Sequence, residues 1–82
     1  MLSDDELKKR LEQTAQIVKI GGNYRHYKGK DYQVINIALD EESLEPCVIY
    51  KALYGHQNTF VRKLSVWTSK VDGNSRFTYS PS

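Results

Sequence analysis

The side chains of this 82-residue chain that could carry covalent chemistry are few: one cysteine, Cys47, and two histidines, His26 and His56. A thiol attacks only when an adjacent base or a depressed pKa makes it a thiolate, so the arrangement to weigh is Cys47 with either histidine as nucleophile and base. Against it stands the setting of Cys47, at the head of the apolar run Cys47-Val48-Ile49-Tyr50-Lys51-Ala52-Leu53-Tyr54-Gly55. A lone cysteine there reads as a small buried hydrophobe. Two histidines and scattered carboxylates do not give zinc-ligand spacing, and no glycine-rich loop precedes a helix to cradle phosphate. No catalytic residue, metal or cofactor is therefore expected.

A second set could bind rather than react: Tyr24, Arg25, His26, Tyr27, Tyr50, Tyr54 and Arg62. Planar rings and guanidinium groups offer flat faces with polar edges, which suit bases, proline-rich peptides or cations. Tyrosine is also an ordinary cross-strand partner, and the structural reading makes these rings a rim with Arg62 paired to Glu42 or Glu45. Phe60 and Arg62 share a face by alternation. With Phe60 inside, Arg62 needs a carboxylate; with Phe60 outside, both are open to a partner. Any ligand is expected on a rim of Tyr24, Arg25, Tyr27, Tyr50, Tyr54 and Arg62.

The elements that must hold these side chains are legible in outline. Residues 47–55 read as a central strand, with Val48, Tyr50, Ala52 and Tyr54 on one face and Cys47, Ile49, Lys51 and Leu53 on the other; neither face is polar, so both are expected to be covered. Upstream, Ser3 and Glu6 form a capping box that starts a helix running to about residue 19, with Leu7, Leu11, Ala15 and Val18 as its apolar stripe and Gly21-Gly22 as its stop. Lys28-Gly29-Lys30-Asp31 is a turn between strands at 23–28 and 32–39, and Ile35, Ile37 and Leu39 with Gln33 are the better core face of the second. Asp40–Pro46 is an acidic loop. His56-Gln57-Asn58 makes the next turn, followed by a strand at 60–64, one helical turn at 65–68, a short strand near Val71 and a turn at 72–75. Trp67 is expected to pack under the helix with Leu7 and Leu11.

The segment Tyr24-Arg25-His26-Tyr27-Lys28-Gly29-Lys30-Asp31-Tyr32, with Val34, Val48, Tyr50, Leu53-Tyr54-Gly55 and Val61-Arg62 downstream, resembles the bacterial family DUF1653. The resemblance runs without a gap from Tyr24 to Tyr54 and on to about Val71. Departures are Asp40 where the family usually has His, Phe60 for Trp, Lys63 for Pro, and Val66-Trp67 for a Met-Phe pair. The resemblance implies a small barrel of the Src-homology-3 type and brings no established activity or ligand.

Together these readings predict a mainly β domain: a five-stranded, strongly bent antiparallel sheet closing into a Src-homology-3-like barrel over 23–77. The N-terminal helix and its glycine turn occupy 1–22, and a frayed tail 78–82. The net charge of +2 hides a segregation, since residues 21–39 carry +2, residues 40–46 carry −4 and residues 47–82 carry +4. That is modest for a dedicated nucleic-acid domain. A non-catalytic protein- or peptide-binding accessory module is the leading expectation, with a nucleic-acid-binding barrel second and a small-molecule-binding or hydrolytic protein third. One cysteine, no signal-like start and no long apolar run point to the cytoplasm, with no membrane contact.

Overall fold

The computed structural model describes residues 2–81. Met1 and Ser82, the ends of the expected helical segment and tail, lie outside the described residues. Helix α1 (Asp4–Ile17) starts where the capping box places it: the Ser3 hydroxyl accepts from the Glu6 N–H, and the Glu6 carboxylate accepts from the Ser3 N–H. Its buried stripe ends in Thr14 and Val18 rather than Ala15, which is exposed. Thr14 is tolerated there at 2% exposure because its hydroxyl donates to the Arg10 carbonyl, 2.7 Å away.

Seven strands follow: β1 (Asn23–His26), β2 (Asp31–Leu39), β3 (Pro46–Ala52), β4 (Thr59–Lys63), β5 (Lys70–Val71), β6 (Asn74–Ser75) and β7 (Phe77–Tyr79), with the single turn α2 (Leu64–Trp67) after β4. Five form one antiparallel sheet in the order β4-β3-β2-β1-β7. The fifth strand is β7, not the expected one near Val71. Lys70–Val71 instead makes a separate hairpin with Asn74–Ser75, across Asp72 and Gly73 with φ of 51° and 82°. Positive φ at both centres is what a two-residue primed turn requires. Thr78 and Tyr79, expected in a frayed tail, are ordered by pairing with Arg25 and Tyr24. No ladder joins β4 to β7 among the described residues, so the sheet has two edges and is not closed.

One face of the sheet carries the core. Val18, Tyr24, Val34, Val48, Tyr50, Trp67 and Phe77 form a single buried cluster, with Tyr32 and Leu64 packed against it. The other face of β3 is only partly covered: Cys47 is buried, but Ile49 and Lys51 are half-buried and Leu53, past the strand's end, is 39% exposed. The expectation for β2 fails at its start for a specific reason. A bulge between Val34 and Asn36 inserts Ile35, so Val34 lies opposite Tyr50 and Ile37 opposite Val48. Tyr32 and Val34 thus share the core face before the bulge and Ile37 shares it after, while Ile35 points out. Gly22 sits where an added Cβ would come within 3.0 Å of Tyr79 Cε1. The carbonyl of Gly22 accepts from the Val34 N–H and the Gly21 N–H donates to the Val34 carbonyl, which ties the helix exit to the sheet.

Candidate functional site

Side chains directly opposite one another across a ladder emerge on the same face. Tyr24 faces Tyr32 and Tyr79, His26 faces Phe77, Tyr32 faces Ala52, Tyr50 faces Phe60 and Val48 faces Arg62. Most of the chain's rings therefore converge on one side of the sheet. Trp67 fills the middle, stacked on Phe77 with centroids 3.8 Å apart and edge-on to Tyr50 at 5.0 Å and Tyr24 at 5.3 Å. Its partners are these rings; Leu7 and Leu11 are not in the core cluster.

This packing sorts the predicted residues. Tyr24 and Tyr50, expected on the rim, are core residues at 7% and 4% exposure. The Tyr24 hydroxyl accepts from the Lys19 N–H just past the helix, and the Tyr50 hydroxyl accepts from Arg62 Nε at 3.2 Å. Arg62 does not pair with Glu42 or Glu45; Lys63 takes Glu45 instead, at 2.9 Å. The Arg62 guanidinium lies 5.7 Å from the Phe77 ring centre, half-buried, and among the described residues no carboxylate pairs with it. Arg25 emerges on the opposite face, opposite Asp31 and Thr78, with Asp31 3.9 Å from its Nε.

The exposed margin of the ring cluster is built from His26, Tyr27, Tyr32, Tyr54, Phe60 and Arg62. Tyr32 links it to the core: it meets Tyr50, Tyr54 and Phe77 edge-on at 5.3, 5.6 and 5.8 Å, and its hydroxyl lies 2.7 Å from that of Tyr54. Burial first, and then the Tyr54 hydroxyl, push the Tyr32 phenol up to about 12. His26 packs on Tyr27 and Phe77; burial, followed by Arg62, Arg76 and Lys28, lowers its pKa. Lys28 and Lys30 place their ammonium groups 5.8 Å over Tyr27 and 4.9 Å over Tyr54. Sequence reasoning missed Tyr32, although a turn at Lys28–Gly29 puts it opposite Tyr24. Phe77 left no such signal, because a hairpin separates it from the rest of the sheet.

The catalytic arrangement is not assembled. Cys47 is buried with its thiol against the Glu45 carbonyl, and burial raises its pKa, the opposite of activation. Neither histidine meets it among the described residues, and no group of three or more His, Cys, Asp or Glu side chains comes together there. Two shallow depressions flank Arg25, one of about 270 Å³ shared with His26, Tyr27 and Thr78, the other of about 220 Å³ with Asn23, Asp31 and Leu53. Both are smaller than the roughly 300 Å³ at which small-molecule sites begin, and neither reaches Tyr54, Phe60 or Arg62. No described helix is long and apolar enough to cross a membrane.

A family model described as a protein of unknown function, DUF1653, matches residues 22–79. Among solved structures, the chain is similar to a protein belonging to DUF1653 from Bordetella bronchiseptica. The two share 34% identity with a TM-score of 0.67, over 74% of this chain and 86% of that one. No curated protein matches.

Proposed function

The chain belongs to the DUF1653 family, and from that premise we propose that it is a non-catalytic binding module that receives a protein segment or peptide at the margin of its ring cluster. The observation that carries this reading is the juxtaposition of Tyr32, Tyr54 and Phe60 with Arg62, whose guanidinium is held by the Tyr50 hydroxyl and the Phe77 ring. Rings and an arginine fixed by packing supply contact area at low entropic cost. The sheet is read as a Src-homology-3-type barrel left open between β4 and β7, on the strength of its five short antiparallel strands and the helical turn after the fourth. The buried single thiol suits a reducing cytoplasm.

A polyanion is the second reading, favoured by Lys28, Lys30 and Arg62 around the same margin. It is the weaker one, because Lys28 and Lys30 already cover the ring faces on which bases would stack. Amide-shift titration with peptides and with single-stranded oligonucleotides separates the two. A peptide ligand should shift Tyr54, Phe60 and Arg62 with little dependence on salt, whereas a polyanion should shift the cations and weaken steeply as salt is added. Binding that leaves all of these residues unshifted would refute both.

A further inference from the structure

The ring margin adjoins a free sheet edge. Strand β4 pairs with β3 on one side and with no strand of the described residues on the other. Its hydrogen-bond phase follows from one bond beyond the strand ends: the Ala52 N–H donates to the Asn58 carbonyl at 3.0 Å, in line with the β3–β4 register. Bonded and non-bonded pairs alternate in an antiparallel ladder. Phe60 and Arg62 therefore exchange bonds with Tyr50 and Val48, and the N–H and C=O groups of Thr59, Val61 and Lys63 point away from the sheet. Proteins usually blunt such an edge with proline, a bulge, a very short strand or charged side chains; β4 has only Arg62 and Lys63 of these, Lys63 being paired with Glu45 and Arg62 turned to the core face. The other edge, β7, is three residues long; β4 has five residues, no proline and no bulge in its register with β3. Its side chains are also open, with Val61 67% and Phe60 42% exposed.

We propose that β4 accepts an extended peptide as an added antiparallel strand, with an acidic residue opposite Arg62, a β-branched residue opposite Val61 and an aromatic residue opposite Phe60. This rests on the peptide reading above and specifies its geometry. Charge complementarity selects the acidic residue, since Arg62 is half-buried, held at two points and has no carboxylate partner among the described residues. The aromatic residue continues the row Phe60, Tyr50 and Tyr32 on the core face. The β-branched residue lies beside Val61 on the other face, and its backbone meets the outward groups of Val61.

The test uses the full chain, labelled with nitrogen-15, and the blocked peptide acetyl-Ser-Thr-Glu-Val-Tyr-Thr-Ser-amide, alongside the same peptide N-methylated at its valine. The expected result is that the first peptide shifts Thr59, Val61 and Lys63 and slows their amide exchange by about tenfold or more, while N-methylation weakens binding by about tenfold. Arg62→Gln should weaken binding to the glutamate peptide and not to its glutamine counterpart. If the N-methylated peptide binds equally well, shifting Tyr54 and Arg62 without slowing Val61, strand addition is wrong while the peptide reading stands. If neither peptide binds, both fall. Concentration-dependent protection of Val61 without peptide, with a dimer in sedimentation, gives the edge to a second copy and overturns the proposal. An oligonucleotide shifting Arg62 where the peptides do not gives the site to a polyanion and overturns it likewise.

Discussion

Trp67 lies flat on Phe77, with ring planes 5° from parallel and centroids 3.8 Å apart. Phe77 is the buried residue of β7, so this contact holds an edge strand of the sheet as well as filling the core. Phe77→Ala should cost about 3 to 5 kcal/mol and Trp67→Ala as much, a large share of the stability of a domain this size. Urea unfolding checks both. Phe77→Ala should also move the tryptophan emission to the red even where the chain remains folded, since Trp67 loses its covering ring; an unchanged emission would mean that the stacking does not exist in solution.

Val48 is wholly buried and Leu53 is 39% exposed, although both belong to the same apolar run. Val48→Ala should cost about 2 to 3 kcal/mol, two methyl groups plus the cavity they leave, and Leu53→Ala less than about 1 kcal/mol. Equal unfolding midpoints for the two variants would contradict the facing of β3.

His26 gives a pH dependence whose sign follows from its depressed pKa. The unfolded chain, with histidine near 6.5, takes up a proton first as pH falls, so stability is full above that value and declines below it. The carboxylates with lowered pKa, Asp40 and Glu45, lose their contribution only below their ordinary values of 3.8 and 4.5. Between pH 7.5 and 5.5 the urea midpoint should therefore fall in the wild type and fall less in His26→Gln. A midpoint that rises over this range would show that the imidazole gains a partner when charged.

Tyr32 has the opposite dependence. Its phenol is held near 12 in the folded chain against 10.0 unfolded, so its contribution is full below pH 10 and is lost as pH climbs toward 12. Phenolate absorbance should reveal a tyrosine that titrates near pH 12. Tyr54→Phe should lower that late titration only in part, because burial is the larger cause; a complete return to the ordinary range would assign the shift to the Tyr54 hydroxyl instead.

The margin itself can be divided by mutation. Against any peptide that binds, Tyr54→Ala and Phe60→Ala should each weaken affinity severalfold, whereas Arg25→Ala, on the far face beside Asp31, should leave it unchanged. Isothermal titration with folded variants decides it, and a dominant Arg25 would move the site to the depressions flanking that residue.

Local signals made part of this legible from the chain alone. Ser3 and Glu6 set the helix start through bonds between near neighbours, and Lys28–Gly29 set the first hairpin in the same way. What escaped was long-range. Nothing in a period of two announces that Ile35 is extra, so strict alternation reverses the facing of Tyr32 and Val34 and gives that of Ile37 correctly. The pairing of Phe77 with His26, about fifty residues apart, decides which rings are core, and no local pattern shows that it buries Tyr24 and Tyr50 and leaves Tyr32 at the margin. Arg62 and Lys63 are adjacent in sequence, and alternation alone does not tell which of them reaches Glu45.

Arg10, on α1, donates to the carbonyl of Leu44 at 2.7 Å, and Leu44 holds a φ of 60° within the acidic loop. The loop is also held by its own bonds, from the Leu44 N–H to the Asp40 carbonyl and from the Glu42 and Ser43 N–H groups to the Asp40 carboxylate, so Arg10 adds one tie to the helix across 34 residues. Loss of that tie in Arg10→Ala should speed amide exchange at residues 41–45 while the strands keep theirs.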